Sequence, residues 1–178
     1  MEKLDPRLAP AYTTAETARY LRIPLPTVRS WVVGRSYPRR SDIGKFKPVV
    51  VPPRDPGHRL SFRNLVEVAS LRALRTENGL KLSAVREALH FAKKKLGDEA
   101  PLASPELFAS GGELFLERYG QLINLNRAGR LGIWAMLQGL LTRIQRDKKL
   151  AVRFFPPVPN RPEARSVMLD PLAYERGA

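Results

Sequence analysis

The chain has 178 residues, 43% of them apolar, enough for one large domain or two small ones around a packed core. It has no cysteine and only two histidines, His58 and His90, which excludes disulfides and thiolate metal sites and leaves little from which to build a metal centre. The 31 basic residues outnumber 17 acidic ones, for a net charge of +14. No run of about 18 apolar residues and no apolar leader is present, so a cytoplasmic protein of a reducing compartment is expected.

The charge is unevenly spread. Residues 1–97 hold 20 basic and 8 acidic side chains, a net of +12, whereas residues 98–178 hold 11 and 9, a net of +2. A basic unit at 1–97 followed by a near-neutral one at 98–178 predicts a polyanion-binding module joined to a part with another task.

In chain order, the first signal is "TTAETARYL". Thr13 with Glu16 three residues on has the capping-box spacing, and Ala15, Ala18 and Leu21 recur at helical intervals. Pro24 disfavours helical geometry at Ile23, so this helix should stop near Arg22. Pro26 suits the first turn of a second helix, in which Val28, Trp31 and Val32 form the apolar stripe. Thr27, Arg29 and Ser30 fall outside that stripe.

Residues 34–57 contain five prolines and three glycines, which break any helix. "PVVVPP" and "HRLSF" read as two short strands able to pair as a hairpin, flanked by Arg35, Arg39, Arg40, Lys45, Lys47 and Arg54. Ser61 is placed to cap a third helix running to Gly79 through Leu65, Val68, Ala69, Leu71 and Leu74. Ser83 is read as the cap of a fourth, carrying Val85, Ala88, Leu89, Ala92 and Leu96 and stopping at Gly97; its "KKK" complements the end of the helix dipole.

"DEAPLASPEL" has a linker's composition, and the pattern beyond it turns to period two. A small antiparallel meander is expected over about 107–127, then a helix with Ile133, Leu137, Leu140, Leu141 and Ile144 on one face. "LAVRFFPPV" reads as a strand halted by prolines, and "SVMLDP" as an edge strand.

"TTAETARYLRIPLPTVRSWV" resembles the helix-turn-helix of the MerR-like and excisionase-like winged-helix families, whose second helix follows T-[VL]-R-x-[WY]; here Thr27, Val28, Arg29 and Trp31 match. "HRLSFRNLVEVASLRALRTENGLKLSAVREAL" resembles their next stretch. The match covers 13–89, with Pro24 where a capping serine is usual and a longer wing segment. The whole chain is similar to VapB-type antitoxins of bacterial toxin–antitoxin modules that begin with a MerR-like domain, through "LF", "LF", "GQLINL" and Arg146–Pro156.

The resemblance implies an α+β protein: an N-terminal MerR-like winged helix-turn-helix followed by a small antiparallel-sheet-plus-helix domain for dimerisation and partner binding. It implies a repressor of its own operon, partnered by a PIN-domain ribonuclease toxin. Such antitoxins often carry one more helical domain after "LDP", and this chain is expected to lack it. An effector-responsive regulator without a toxin partner is the alternative.

A helix of this size fits the major groove with its first residues on base edges, which gives Thr27, Arg29 and Ser30 as base readers. Arg35, Arg39, Arg40, Lys45, Lys47, Arg54 and Arg59, with His58 beside them, form the expected phosphate-contacting set. One such unit touches few bases, so a homodimer on a palindromic site is expected. No cofactor or metal is called for. No phosphate loop, metal-binding helix or nucleophile elbow points to catalysis, and Glu113 and Glu117 share a strand face without a pocket. Phe108, Phe115 and Tyr119 are the aromatic candidates for an RNA-stacking sheet, against which stands the low charge of their segment.

Overall fold

Thr13 starts the first helix as expected. Its hydroxyl accepts from the Glu16 amide at 3.1 Å while the Glu16 carboxylate accepts from the Thr13 amide at 2.9 Å, so two free amides are satisfied reciprocally. Helix α1 spans Thr14–Leu21 and ends on Arg22, which turns left-handed at φ 52°. The Ile23 amide then reaches back to the Ala18 carbonyl at 2.9 Å. Helix α2, Leu25–Val32, follows after Pro24; the cap position lacks a side-chain bond, and Pro26 occupies the first turn.

The computed structural model describes residues 5–38, 40, 42–76, 81–97, 101–103, 134–135, 138–140, 142–147, 150–156 and 168–172. Its architecture is α+β. After α2 come strands β1 (Arg35–Pro38) and β2 (Ile43–Phe46), an antiparallel hairpin with Arg35 opposite Phe46 and Ser36 opposite Lys45. Then come helices α3 (Phe62–Thr76) and α4 (Leu82–Leu96), and a 3-10 turn at Pro101–Ala103. A second antiparallel pair, β3 (Ile144–Asp147) and β4 (Leu150–Phe154), follows.

Helix α3 is central because most of its residues, apolar and polar alike, are buried. Leu65, Val66, Val68, Leu71 and Leu74 are fully buried, and burying each leucine contributes about 1.5–3 kcal/mol. Its buried polar residues are all bonded. The Ser61 hydroxyl caps the Asn64 amide at 3.2 Å, and the Asn64 carboxamide donates to Glu67 at 2.8 Å and to the Val51 carbonyl at 3.1 Å. The Ser70 hydroxyl donates to the Leu102 carbonyl at 2.9 Å. Arg72 donates to the Leu21 carbonyl, placing a cation at the end of α1. The same cluster of buried residues takes in Leu102, Leu140, Ile144, Ala151 and Phe154 from beyond Gly97.

The expected hairpin is displaced. "PVVVPP" forms no strand: the Val49 and Val50 amides both bond the Trp31 carbonyl, at 2.8 and 3.1 Å, and prolines on either side have no amide to offer a ladder. In "HRLSF", Leu60 makes a single bridge to Tyr12 instead. The true hairpin lies upstream, and Gly34 at φ +85° makes the turn into it.

Other expectations also shift. Lys81 rather than Ser83 occupies the cap position of α4, with no side-chain bond, because the helix begins two residues earlier than that cap implies, at Leu82. Ile144 begins β3 rather than continuing a helix, although 134–135 and 138–140 are helical. Within the expected linker, Leu102 and Ala103 are buried, held by Ser70 and by Arg146, whose guanidinium donates to the Ala103 carbonyl at 2.7 Å. β4 ends before Pro156 as read, and Leu169 pairs with Phe154 in one bridge rather than a strand. Gly79, the 107–127 meander, Ile133, Leu137 and Leu141 lie outside the described residues. Among the described residues, no helix is long and apolar enough to cross a membrane.

Tyr12 joins the starts of α1 and α3. Its amide and carbonyl pair with Leu60, and its ring sits 6.4 Å from both Tyr20 and Phe62. Burial, with Tyr20, Asp170 and Glu16 nearby, pushes its phenol up to about 12. The fold therefore favours the neutral phenol. This contribution is complete below the unfolded-chain value near 10 and is lost as pH rises from there through about 12. In an alkaline unfolding series, Tyr12→Phe is expected to move the midpoint to higher pH. An unchanged midpoint would count against the linkage.

Candidate nucleic-acid interface

Helix α2 presents two faces that follow from its composition. Val28, Trp31 and Val32, at 0–5% exposure, hold one side to the core. At 100° per residue the opposite side carries Pro26, Arg29, Ser30 and Val33, with Thr27 at its edge. Arg29 is exposed, Thr27 and Ser30 are half-buried, and Val33 at the helix end is 47% exposed. The three residues chosen from sequence thus stay outside the packed stripe. Val33 and Pro26 share that surface and were not anticipated; an apolar residue there is suited to a thymine methyl. The helical wheel of "LPTVRSWVV" could have revealed them.

The end of α1 and the turn after it add cations outside the expected contact set. Arg19 and Arg22 are both exposed, Arg19 with its guanidinium 5.4 Å from the Tyr20 ring. Neither belongs to the proline-rich stretch 34–57, which holds six of the residues expected to contact phosphate.

The hairpin sorts its own basic residues onto two faces. Directly opposed residues in an antiparallel pair point the same way, so Arg35, Tyr37, Gly44 and Phe46 share one face, and Ser36, Pro38, Ile43 and Lys45 the other. The first face is turned inward. The Phe46 ring packs 4.2 Å from the Arg86 guanidinium of α4 and 5.7 Å from that of Arg35. The second face is open: Lys45 is exposed and Ile43 is 70% exposed. Arg40 and Lys47 are exposed as well, while Arg39 lies outside the described residues.

Two elements hold the hairpin where it is. At its base, the α2 carbonyl of Trp31 receives the returning Val49 and Val50 amides, so the hairpin leaves and rejoins the fold at the end of α2. From α4, Arg86 donates Nη2–H to the Lys47 carbonyl at 2.7 Å. Its Nε–H is buried with no partner, and burial pushes the guanidinium below its usual value.

The loop at 54–59 is organised differently. Asp55 accepts from the Gly57 and Arg59 amides at 3.1 and 3.0 Å and pairs with the Arg59 guanidinium at 2.9 Å. Those donors, Arg59 first, hold its carboxyl down to about 2. Arg59 is therefore already neutralised within its loop, whereas Arg54 is exposed. His58 turns left-handed at φ 49° and is exposed. The structure thus brings Thr27, Arg29 and Ser30 onto one helix surface and Lys45 onto an open hairpin face. It sets Arg35 on the inward face and ties Arg59 to Asp55.

No family model matches the chain, and no solved structure matches it. Among curated proteins it is 32% identical over 119 residues to a Mycobacterium tuberculosis protein named "Putative antitoxin VapB45". That alignment covers 63% of this chain and 49% of the relative. Through those residues the chain is similar to an antitoxin, and it spans about half the length of the curated relative it matches.

Proposed function

We propose that this chain is a DNA-binding repressor with a winged helix-turn-helix of MerR-like type, the antitoxin of a type II toxin–antitoxin module. It represses its own operon as a homodimer, and its second half neutralises a PIN-domain ribonuclease. No catalytic role or cofactor enters this reading. The observation that carries the DNA-binding part is the α1–α2 pair with an uncovered, Arg29-bearing α2 surface, joined through Gly34 to a hairpin whose outer face carries Lys45. The antitoxin part rests on the named relative.

The chemistry divides into reading and positioning. Arg29 is suited to a bidentate contact with guanine O6 and N7, and Thr27 and Ser30 to single base-edge bonds. Arg22, Arg40, Lys45, Lys47 and Arg54 supply sequence-independent phosphate contacts that set register. The test is a titration of a duplex from immediately upstream of the gene and a scrambled duplex, at two salt concentrations. Arg29→Ala is expected to lower affinity for the upstream duplex about tenfold to a hundredfold and to narrow its advantage over the scrambled one. Equal binding to both duplexes, unchanged in the variant, would overturn the reading.

A cleft of about 610 Å³ favours a second reading, an effector-responsive regulator. It lies between the 5–7 segment and the β3–β4 pair and is lined by Asp5, Arg7, Asp147, Val152 and Arg153. Arg7 and Arg153 there already pair with Asp5 and Asp170. A small molecule that changes DNA affinity in the absence of any partner protein would favour this reading over the antitoxin.

A further inference from the structure

Helix α4 belongs to neither the helix pair nor the hairpin, yet one of its side chains grips the hairpin's return strand. Arg86 stacks on Phe46 at 4.2 Å and bonds the carbonyl of Lys47 at 2.7 Å, holding two consecutive residues 39 and 40 positions earlier in the chain. A four-residue strand pair has little stability of its own in water, so its orientation depends on what grips it. At the base the grip is the Trp31 carbonyl; along the second strand it is Arg86. Arg86 has a planar guanidinium whose face covers the ring while its edge donates to the backbone, a combination that lysine does not offer.

We infer that Arg86 is the positioning residue that sets the hairpin's cations against the DNA backbone, without itself contacting DNA. This rests on the winged helix-turn-helix reading. Its guanidinium is turned toward Phe46 and the Lys47 carbonyl, with Nε buried, so its effect on DNA is transmitted through Lys45 and Lys47. A lost positioning residue uncouples these contacts as a group, whereas a lost phosphate contact removes only one.

The experiment is a salt-dependence series on the upstream duplex with wild type, Arg86→Leu, Arg86→Lys, Lys45→Ala and Arg29→Ala, and with Lys45→Ala and Arg29→Ala each combined with each Arg86 change. Thermal melts fix a temperature at which every variant is folded. Each phosphate contact contributes about 0.9 to the slope of log affinity against log salt. Arg86→Leu is expected to flatten the slope by about 2, and Lys45→Ala by about 0.9 in wild type but by nothing in the Arg86→Leu background. The loss caused by Arg29→Ala should be the same with and without Arg86. Arg86→Lys, which keeps the charge but not the stacked fork, should behave like Arg86→Leu; it also stands in should the leucine variant not fold.

A flattening of only about 0.9 with the Lys45 effect intact would make Arg86 a direct phosphate contact and overturn the inference. An unchanged slope would overturn it equally. A wild type that fails to prefer the upstream duplex would instead remove the reading on which it rests.

Discussion

Replacing Gly34 with alanine is expected to destabilise the protein by about 3 kcal/mol, lowering the melting temperature by about 10 °C, and to weaken DNA binding at temperatures where the chain is still folded. Two costs combine. The residue sits at φ +85°, where an L side chain carries roughly 1–2 kcal/mol of strain. An added Cβ would also meet the Phe46 carbonyl oxygen at 2.5 Å and the Pro48 ring at 3.2 Å. Neither neighbour yields easily, because Phe46 is clasped by Arg86 and the chain after Pro48 is bonded to Trp31. Relief therefore requires moving the hairpin. Gly97→Ala is the control: φ is +66° but nothing lies within 4 Å, so the cost should stay near about 1 kcal/mol with binding unaffected. Denaturant unfolding of both variants, beside the duplex titration, checks the pair. Equal destabilisation by the two would remove the steric part of the argument.

Asn64→Leu is the second large effect, an expected loss of about 3–4 kcal/mol despite a gain in hydrophobicity at a 4% exposed position. The carboxamide oxygen accepts from the Ser61 amide and hydroxyl at 3.1 and 2.8 Å. Its nitrogen donates to the Glu67 carboxylate and to the Val51 carbonyl. Leucine removes all four bonds and leaves a buried carboxylate short of a donor, the costly half of the exchange. Because Val51 follows the residues bonded to Trp31, the segment leading back from the hairpin should loosen as well. Asn64→Asp, which retains the acceptor for Ser61 but places a second carboxylate beside Glu67, should also destabilise. A neutral result for leucine would show that the network contributes nothing net.

Local chemistry made the helix pair legible. Thr13 and Glu16 form a capping box within four residues, Pro24 and Pro26 bracket a boundary through their own rings, and Gly97 ends α4 at positive φ. Each signal acts on its immediate neighbours, so sequence order preserves it. The hairpin was misplaced because its grip is not local. "RSYP" and "IGKF" have unremarkable strand composition, and what fixes them is Gly34, just before the first strand, and Arg86, 40 residues after Phe46. The valine run at 49–51 carries the stronger strand signature, yet its amides are drawn to the end of α2. Among site residues, Arg29 could be placed from the helical pattern alone. The pairing of Arg59 with Asp55 could not, since it depends on a loop that folds back on its own aspartate.

The all-round burial of α3 has a consequence for how the chain unfolds. A helix that shares its sides among α1, the hairpin's returning segment, the 3-10 turn and β4 has no face that can be released without exposing it to water. The boundary that separates a +12 segment from a +2 segment is therefore crossed by one buried cluster. Opening the 3-10 turn would uncover Ser70 and its apolar neighbours on α3, the helix that also holds the Leu21 carbonyl through Arg72. The described parts of both halves share one buried cluster, and hydrogen exchange is expected to find the slowest-exchanging amides in the middle of α3.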